Sequence, residues 1–353
     1  MMKSGDIVMK RFCKVFSVFL AMTLIGLSAV AFAACDDDKG ELAARNIDVA
    51  PEVYPVWMSY IDDDAPYAEL SLPATHNSGA VDCRLFNLDM NGVWLNCQQG
   101  TVYDQLLYGV RDFDFSISTA SQDGRLFCVH GYGYGLPFDE AVADIRRFSD
   151  EHPSEFIVIS VKLYADYSVA DADAVKEVLD ILDPAQYAMD ESYNLSEMTM
   201  GDIRESGKRF AISCPAEWCD YTTATAGVAG TWQSEYNFGT VDSGKICYDM
   251  IWETMLAAEE GAHIRPSLNR ATGSSIMKEL PLDFMLADRD YFLDLVGKIK
   301  SDPNALAACS GFSMDFATYD YVQCGKTLEL NVAKGFVKDA DGFTKGIEAK
   351  YPA

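Results

Sequence analysis

The chain has 353 residues, 49% of them hydrophobic, and a formal net charge of −26. That apolar share can build a large core. The acidic balance argues against nucleic acid as a partner and against adsorption to an anionic membrane through a basic patch.

The first segment stands apart from the fold. Lys10, Arg11 and Lys14 precede an apolar run, residues 15–34, which ends Ala31-Phe32-Ala33-Ala34-Cys35. Basic, then apolar, then small is the order of a secretory signal. Ala31 and Ala33 suit an ordinary signal peptidase. Phe32-Ala33-Ala34-Cys35 is instead an imperfect lipobox that would place a lipid anchor on Cys35. An uncleaved anchor helix competes with both, because about 20 apolar residues can span a bilayer. Met9 also reads as a start, with residues 1–8 an upstream extension. Residues 1–34 are therefore read as signal and 35–60 as an acidic tether, opened by Asp36-Asp37-Asp38 and carrying Pro51 and Pro55. Residues 61–353 are read as one domain. The expected setting is extracytoplasmic, secreted or lipid-anchored, and the expected state a monomer.

Strand-like and helix-like runs then alternate. Residues 112–118 (DFDFSIS) alternate with period two, and Phe138, Val142, Ile145 and Phe148 recur at helical spacing before Pro153. Residues 156–161 (FIVISV) form a buried, β-branched strand, residues 174–182 a helix stopped by Pro184, residues 209–213 a strand, and residues 311–316 a late strand. Such alternation predicts an α/β fold with a parallel sheet covered on both faces, and the length suits a single TIM-type (β/α) barrel.

Ten cysteines is a high count for a reduced enzyme. Apart from Cys13 and Cys35 there remain Cys83, Cys97, Cys128, Cys214, Cys219, Cys247, Cys309 and Cys324. No C-x-x-C pair suggests zinc, and export permits disulfides. Proximity alone predicts Cys83–Cys97, Cys214–Cys219 and Cys309–Cys324.

Only four histidines occur. His152 reads as the C-terminal cap of a helix, and His263 as structural. His76, in LPATHNSG, and His130, in FCVHG, each follow a strand-like run beside small or polar residues, and the ends of barrel strands are where chemistry is placed.

These segments resemble the X region of the phosphatidylinositol-specific phospholipases C. Leu72–Gly79 is similar to that family's first catalytic-histidine motif, residues 105–114 (QLLYGVRDFD) to its second strand, Val129-His130-Gly131 to its second histidine, and residues 153–162 to the strand that follows. Weaker similarity continues through residues 201–208 and Gln233 to Tyr236, and reaches residues 311–315. The resemblance implies a lyase-type phosphodiesterase acting on a membrane phospholipid. His76 would take the proton of the inositol 2-hydroxyl, His130 would protonate the departing diacylglycerol oxygen, and Asp315 would hold His76 in one tautomer.

The family pattern is not complete. Where the bacterial type carries Asp after the first histidine and Arg on the second strand, Asn77 and Ser116 stand here. The calcium-dependent type keeps Asn and an acidic pair, which Asn77 and Asp114 match and Ser116 and Lys162 do not. Asp112, Asp114 and Ser116 share one strand face by period two, so Asn77, Asp112 and Asp114 could help hold Ca2+. Alternatively no cofactor is required, and Lys162 supplies the positive charge that phosphoryl chemistry needs; this second option is favoured. The head-group pocket would keep Tyr236 as a stacking ring, with Ser234 and Ser116 as further contacts and Cys214 near the position of a family arginine, so a glycosylated inositol lipid is a conceivable substrate. Two other readings remain: a catalytically weak lipid- or glycan-binding surface lipoprotein on the same scaffold, and a metal-dependent glycerophosphodiesterase-like barrel.

Overall fold

The computed structural model describes residues 53–85, 93–119, 124–164, 172–190, 192–213, 243–269 and 280–352. The signal, most of the expected tether, Cys214, Cys219, Ser234 and Tyr236 fall outside the described residues.

The short apolar and β-branched runs form strands β1 (Leu72–Thr75), β2 (Arg84–Leu85), β3 (Asp112–Thr119), β4 (Leu126–His130), β5 (Gly133–Pro137), β6 (Ile157–Leu163), β7 (Phe210–Ser213) and β8 (Gly311–Met314). The main helices are α1 (Val102–Leu107), α2 (Phe138–Glu151), α3 (Ala172–Leu182), α4 (Met200–Ser206), α5 (Gly244–Leu256), α6 (Pro281–Ala287), α7 (Arg289–Ser301), α8 (Pro303–Ala308), α9 (Val322–Ala333) and α10 (Ala340–Glu348).

Strands β1, β3, β6 and β7 pair in parallel in that order, with Ala74 opposite Asp112, Asp112 opposite Val158 and Ile157 opposite Phe210. Strand β8 flanks β1 on the other side, Leu72 opposite Gly311. Parallel bridges from Ile264 to Cys309 and from Ser267 to Ser313 add residues 264–267 beyond β8. The staves therefore follow chain order, as in a TIM-type barrel. Among the described residues the sheet does not close. From its sixth residue on β3 takes a further partner: Ile117, Ser118 and Thr119 pair antiparallel with β4, which pairs with β5, and β5 with β2. This antiparallel extension was not evident in the sequence.

Period two sorts the side chains of β3. Phe113, Phe115 and Ile117 are fully buried, and Phe115 packs edge-on against Phe138 of α2. The alternate residues Asp112, Asp114 and Ser116 therefore face the other way, into the barrel.

Two expectations are corrected. The tether does not run to residue 60: Tyr54–Tyr60 is a 3₁₀ segment in which Tyr54 and Trp57 are fully buried. Their polar atoms have fixed partners, Trp57 Nε1 donating to the Gly109 carbonyl at 2.9 Å and Tyr54 Oη to Ile347 at 3.2 Å. Buried Arg111 clamps the same segment, donating to the Pro55 carbonyl at 2.8 Å and to Glu155 at 2.7 Å. Aromatic burial, not proline content, sets where the fold begins. The disulfides Cys83–Cys97 and Cys309–Cys324 are the second correction, since the six described cysteines are all buried thiols. Cys83 and Cys97 do share an apolar cluster with Ala80 and Leu95. Cys309 and Cys324 instead donate to different carbonyls, Gly311 and Ala317, and act as small core hydrophobes.

Candidate active site

The strand ends converge as the barrel requires. His76 follows β1, Asp114 lies on β3, Lys162 on β6, and Asp315 follows β8. His76, Asp114 and Lys162 open onto a cavity of about 300 Å³ lined also by Asn77, Ser116, His130 and Asn269, and Asp315 is joined to it through His76. The hairpin β4–β5 brings His130 to the same rim. It can approach because two glycines face each other: a Cβ on Gly135 would meet the Gly79 carbonyl oxygen at 2.1 Å, and one on Gly79 would meet Cys128 at 2.3 Å. The glycine of LPATHNSG is thus a packing requirement of the site.

His76 is held on both sides. Its Nδ1 lies 2.9 Å from Asp315 Oδ1, and the Asn77 side-chain amide Nδ2 lies 2.8 Å from its Nε2. An ionised carboxylate only accepts and an amide nitrogen only donates, so Nδ1 carries the proton and Nε2 the lone pair. Asn77 achieves this from a left-handed backbone, φ 42°, a conformation asparagine tolerates.

The His130 ring stands edge-on to that of His76, with centroids 5.9 Å apart at 80°. Its Nδ1 donates to the Leu95 carbonyl at 2.9 Å, and the Cys97 sulfur lies 3.4 Å from the same nitrogen. A backbone carbonyl here orients the second histidine. Burial is the main cause that pulls His130 below its ordinary pKa, opposed by the Leu95 hydrogen bond and reinforced by nearby His76. Burial, then the neighbouring Asp315 charge, pushes the Cys97 thiol well above its ordinary range.

The expected cation site is not assembled. Asp112 forms a buried ion pair with Arg265, which burial lowers to about 10 and which therefore stays charged at neutral pH. Asp114 accepts from Lys162 Nζ at 3.0 Å. Of the tentative set Asn77, Asp112 and Asp114, one carboxylate is thus neutralised by an arginine and the other by a lysine, while the Asn77 amide is turned to His76. This donor set does not fit a hard cation, which needs six or more oxygen ligands. Ser116 sits opposite Lys162 in the β3–β6 register and donates weakly to Asn77 Oδ1, at 3.4 Å.

Sequence reasoning missed residues 95–98. Gln98, fully buried, donates to the carbonyls of His76 at 3.0 Å and Met314 at 2.9 Å, and accepts from the Ala317 amide at 3.1 Å. The Cys97 carbonyl accepts from the Phe316 amide at 2.7 Å. One loop therefore fixes the ends of β1 and β8 and, through Leu95, the ring of His130. Nothing in its sequence signals this, since each contact joins residues far apart in the chain. Ser267 and Asn269, also on the cavity wall, were missed as well; the Ser267 hydroxyl donates to the Asn269 side-chain oxygen.

No protein-family model matches the chain. A 1-phosphatidylinositol phosphodiesterase of Staphylococcus aureus (strain NCTC 8325 / PS 47) is 28% identical over 149 residues, 41% of this chain and 40% of the relative. The protein of the same name from strain Newman is 31% identical over 109 residues, 30% of this chain and 33% of the relative. The chain thus matches less than half the length of these curated relatives. Among solved structures, the phosphatidylinositol-specific phospholipase C of Listeria monocytogenes is similar with a TM-score of 0.58 at 17% identity, covering 79% of this chain and 98% of that one. The F249X mutant of the Staphylococcus aureus enzyme is similar with a TM-score of 0.59 at 17% identity, covering 80% and 99%. The TIM-type fold is shared with these proteins. Sequence and fold together carry the resemblance to the bacterial-type phosphatidylinositol-specific phospholipases C.

Proposed function

We propose that the chain is a phosphoric diester lyase that cleaves an inositol phospholipid to diacylglycerol and a cyclic inositol phosphate. The observation that carries this reading is the histidine pair: both imidazoles have Nδ1 fixed, by Asp315 and by Leu95, and both therefore turn Nε2 toward one cavity that also holds Lys162. The named relatives are phosphodiesterases of phosphatidylinositol, which supports the same substrate class.

The residues divide the reaction between them. The inositol 2-hydroxyl takes the place of the Asn77 amide at His76 Nε2 and gives up its proton there while its oxygen attacks phosphorus. Asp315 stabilises the imidazolium that results. The bond from phosphorus to the glycerol oxygen breaks, and that oxygen receives a proton from His130 Nε2. Lys162 approaches the phosphate from β6 and supplies positive charge where the negative charge develops, a role no cation need fill. The test is turnover of phosphatidylinositol vesicles by the purified chain. Activity should be lost in both His76→Ala and His130→Ala; a variant of either histidine as active as the parent would contradict the assignment.

The proposal also sets the protein outside the cytoplasm as a monomer, with its membrane substrate reached through secretion or a lipid on Cys35. The order of residues 10–35 supports the export.

A further inference from the structure

Among the described residues, one cluster gathers three kinds of metal-ligating group. His76, Cys97 and Asp315 each offer one ligand atom, and these atoms all lie within 4.8 Å of one another. The base and its carboxylate account for two members, but the proposed reaction has no use for the third. Cys97 is 1% exposed, and its sulfur is surrounded by polar groups rather than hydrocarbon alone: it lies 3.4 Å from His130 Nδ1 and 3.9 Å from Asn77 Nδ2. A cysteine serving only as packing would not need to face both histidines.

We propose that His76, Cys97 and Asp315 form a binding site for a thiophilic divalent cation of the zinc class, and that the bound cation shuts the active site. Zinc bonds of roughly 2.0–2.3 Å in a tetrahedral arrangement set ligand atoms roughly 3.3–3.8 Å apart, so side-chain shifts of about an ångström complete the site. The donor set is one nitrogen, one sulfur and one oxygen, with the fourth position left to solvent or to His130. On binding, the Cys97 thiol releases its proton to solvent, and the His76 ring keeps its single proton on the nitrogen turned away from the metal. Thiolate and carboxylate then balance the two positive charges, so the buried site stays neutral. Sulfur selects against calcium and magnesium. The nearest carboxylates of the strand face, Asp112 and Asp114, already face Arg265 and Lys162. The cation would draw Asp315 away from His76 and hold the imidazole that must accept the proton. This inhibitory consequence rests on the proposed function; the binding itself does not.

The test uses the full chain, reduced and freed of metal, titrated with zinc ion against a chromophoric chelator. One zinc per chain is expected, undisturbed by excess calcium. Cobalt(II) in its place should give a sulfur-to-cobalt charge-transfer band. Loss of an outer partner to a metal site costs roughly 10–100-fold in affinity, and loss of a ligand should cost no less, so Cys97→Ser should weaken binding by at least about 100-fold and abolish the band. Cys83→Ser, which removes the neighbouring thiol, should leave both intact. A circular dichroism spectrum matching the parent's would show that Cys97→Ser is folded. The proposal is overturned if the parent binds no zinc, if Cys97→Ser binds zinc and shows the band like the parent, or if Cys83→Ser is the variant that loses them. In the turnover assay, zinc should inhibit the parent and spare Cys97→Ser. Stoichiometric zinc binding by a chain with no turnover of its own would leave the metal site standing and remove the proposed function instead.

Discussion

At the scale of single residues, the positive charge that the proposed reaction requires at the phosphate is the point on which this site differs from the phospholipases C it resembles. Lys162 is nearly half exposed, with a side-chain accessibility of 48%, and its ion pair with Asp114 is screened by solvent. Such pairs contribute only about 0–1 kcal/mol to stability. Lys162→Met should therefore leave the melting temperature nearly unchanged while lowering kcat by about 10²–10³-fold, the scale of losing one preorganised donor to transition-state charge. Differential scanning fluorimetry and initial rates on the same preparation check this, and a variant with parental kcat would remove Lys162 from the reaction. His130 gives a pH prediction. Its folded pKa lies below the ordinary value of a histidine, mainly through burial. As general acid it must be protonated, so kcat/KM should decline as pH rises through a value on the acid side of about 6.5. Stability runs the other way. Between the lowered folded pKa and the unfolded one the unfolded state binds more protons, so the contribution from neutral His130 is present above about pH 6.5 and is lost as pH falls through the folded pKa. His130→Gln should flatten that part of the stability profile. An equally steep profile in the variant would place the effect elsewhere, at His152 or His263, which burial lowers in the same direction.

At the scale of elements, what could be read from sequence followed from local periodicity. The alternation in residues 112–118 fixed both the existence of β3 and the inward face of Asp114 and Ser116, and the spacing of Phe138, Val142, Ile145 and Phe148 located α2. His76 and His130 were legible because each stands at a strand end. The 95–98 loop was not legible, because its meaning lies wholly in contacts with β1, β4 and β8. Asp112 was misjudged for the same kind of reason: its partner Arg265 is 153 positions away along the sequence and meets it only inside the barrel. Gln98 offers the test of the loop. Gln98→Ala leaves the buried carbonyls of His76 and Met314 without this donor, at a cost of about 1–3 kcal/mol in unfolding free energy. The same substitution loosens the dyad, so kcat should fall more than KM rises. A stability loss with unchanged kcat would make the loop a structural brace only.

At the scale of the whole molecule, the barrel places every proposed working group on one rim and leaves stability to the opposite end. Arg111 and Glu155 are an ion pair with no exposed side-chain surface, tied to the N-terminal Tyr54–Tyr60 segment. Removing one member of a buried pair strands the other, so Arg111→Met should cost about 3–5 kcal/mol in chemical denaturation without altering the histidine geometry. Of the disulfides expected from cysteine count and export, Cys83–Cys97 and Cys309–Cys324 were the clearest error at this scale. Spacing along the chain cannot reveal that Cys309 and Cys324 point to separate carbonyls, or that Cys97 faces the histidines.

The central claim is that the substrate's own hydroxyl, and not water or a metal-bound nucleophile, attacks phosphorus between His76 and His130. It is tested most directly by phosphorus NMR of the reaction with phosphatidylinositol, run in heavy-oxygen water with EDTA present. The account predicts a cyclic inositol phosphate as the first product, with no oxygen from the solvent in its phosphate and no loss of rate on chelation. A linear phosphate that carries solvent oxygen from the earliest time point, or turnover that appears only when a divalent cation is restored, would contradict it.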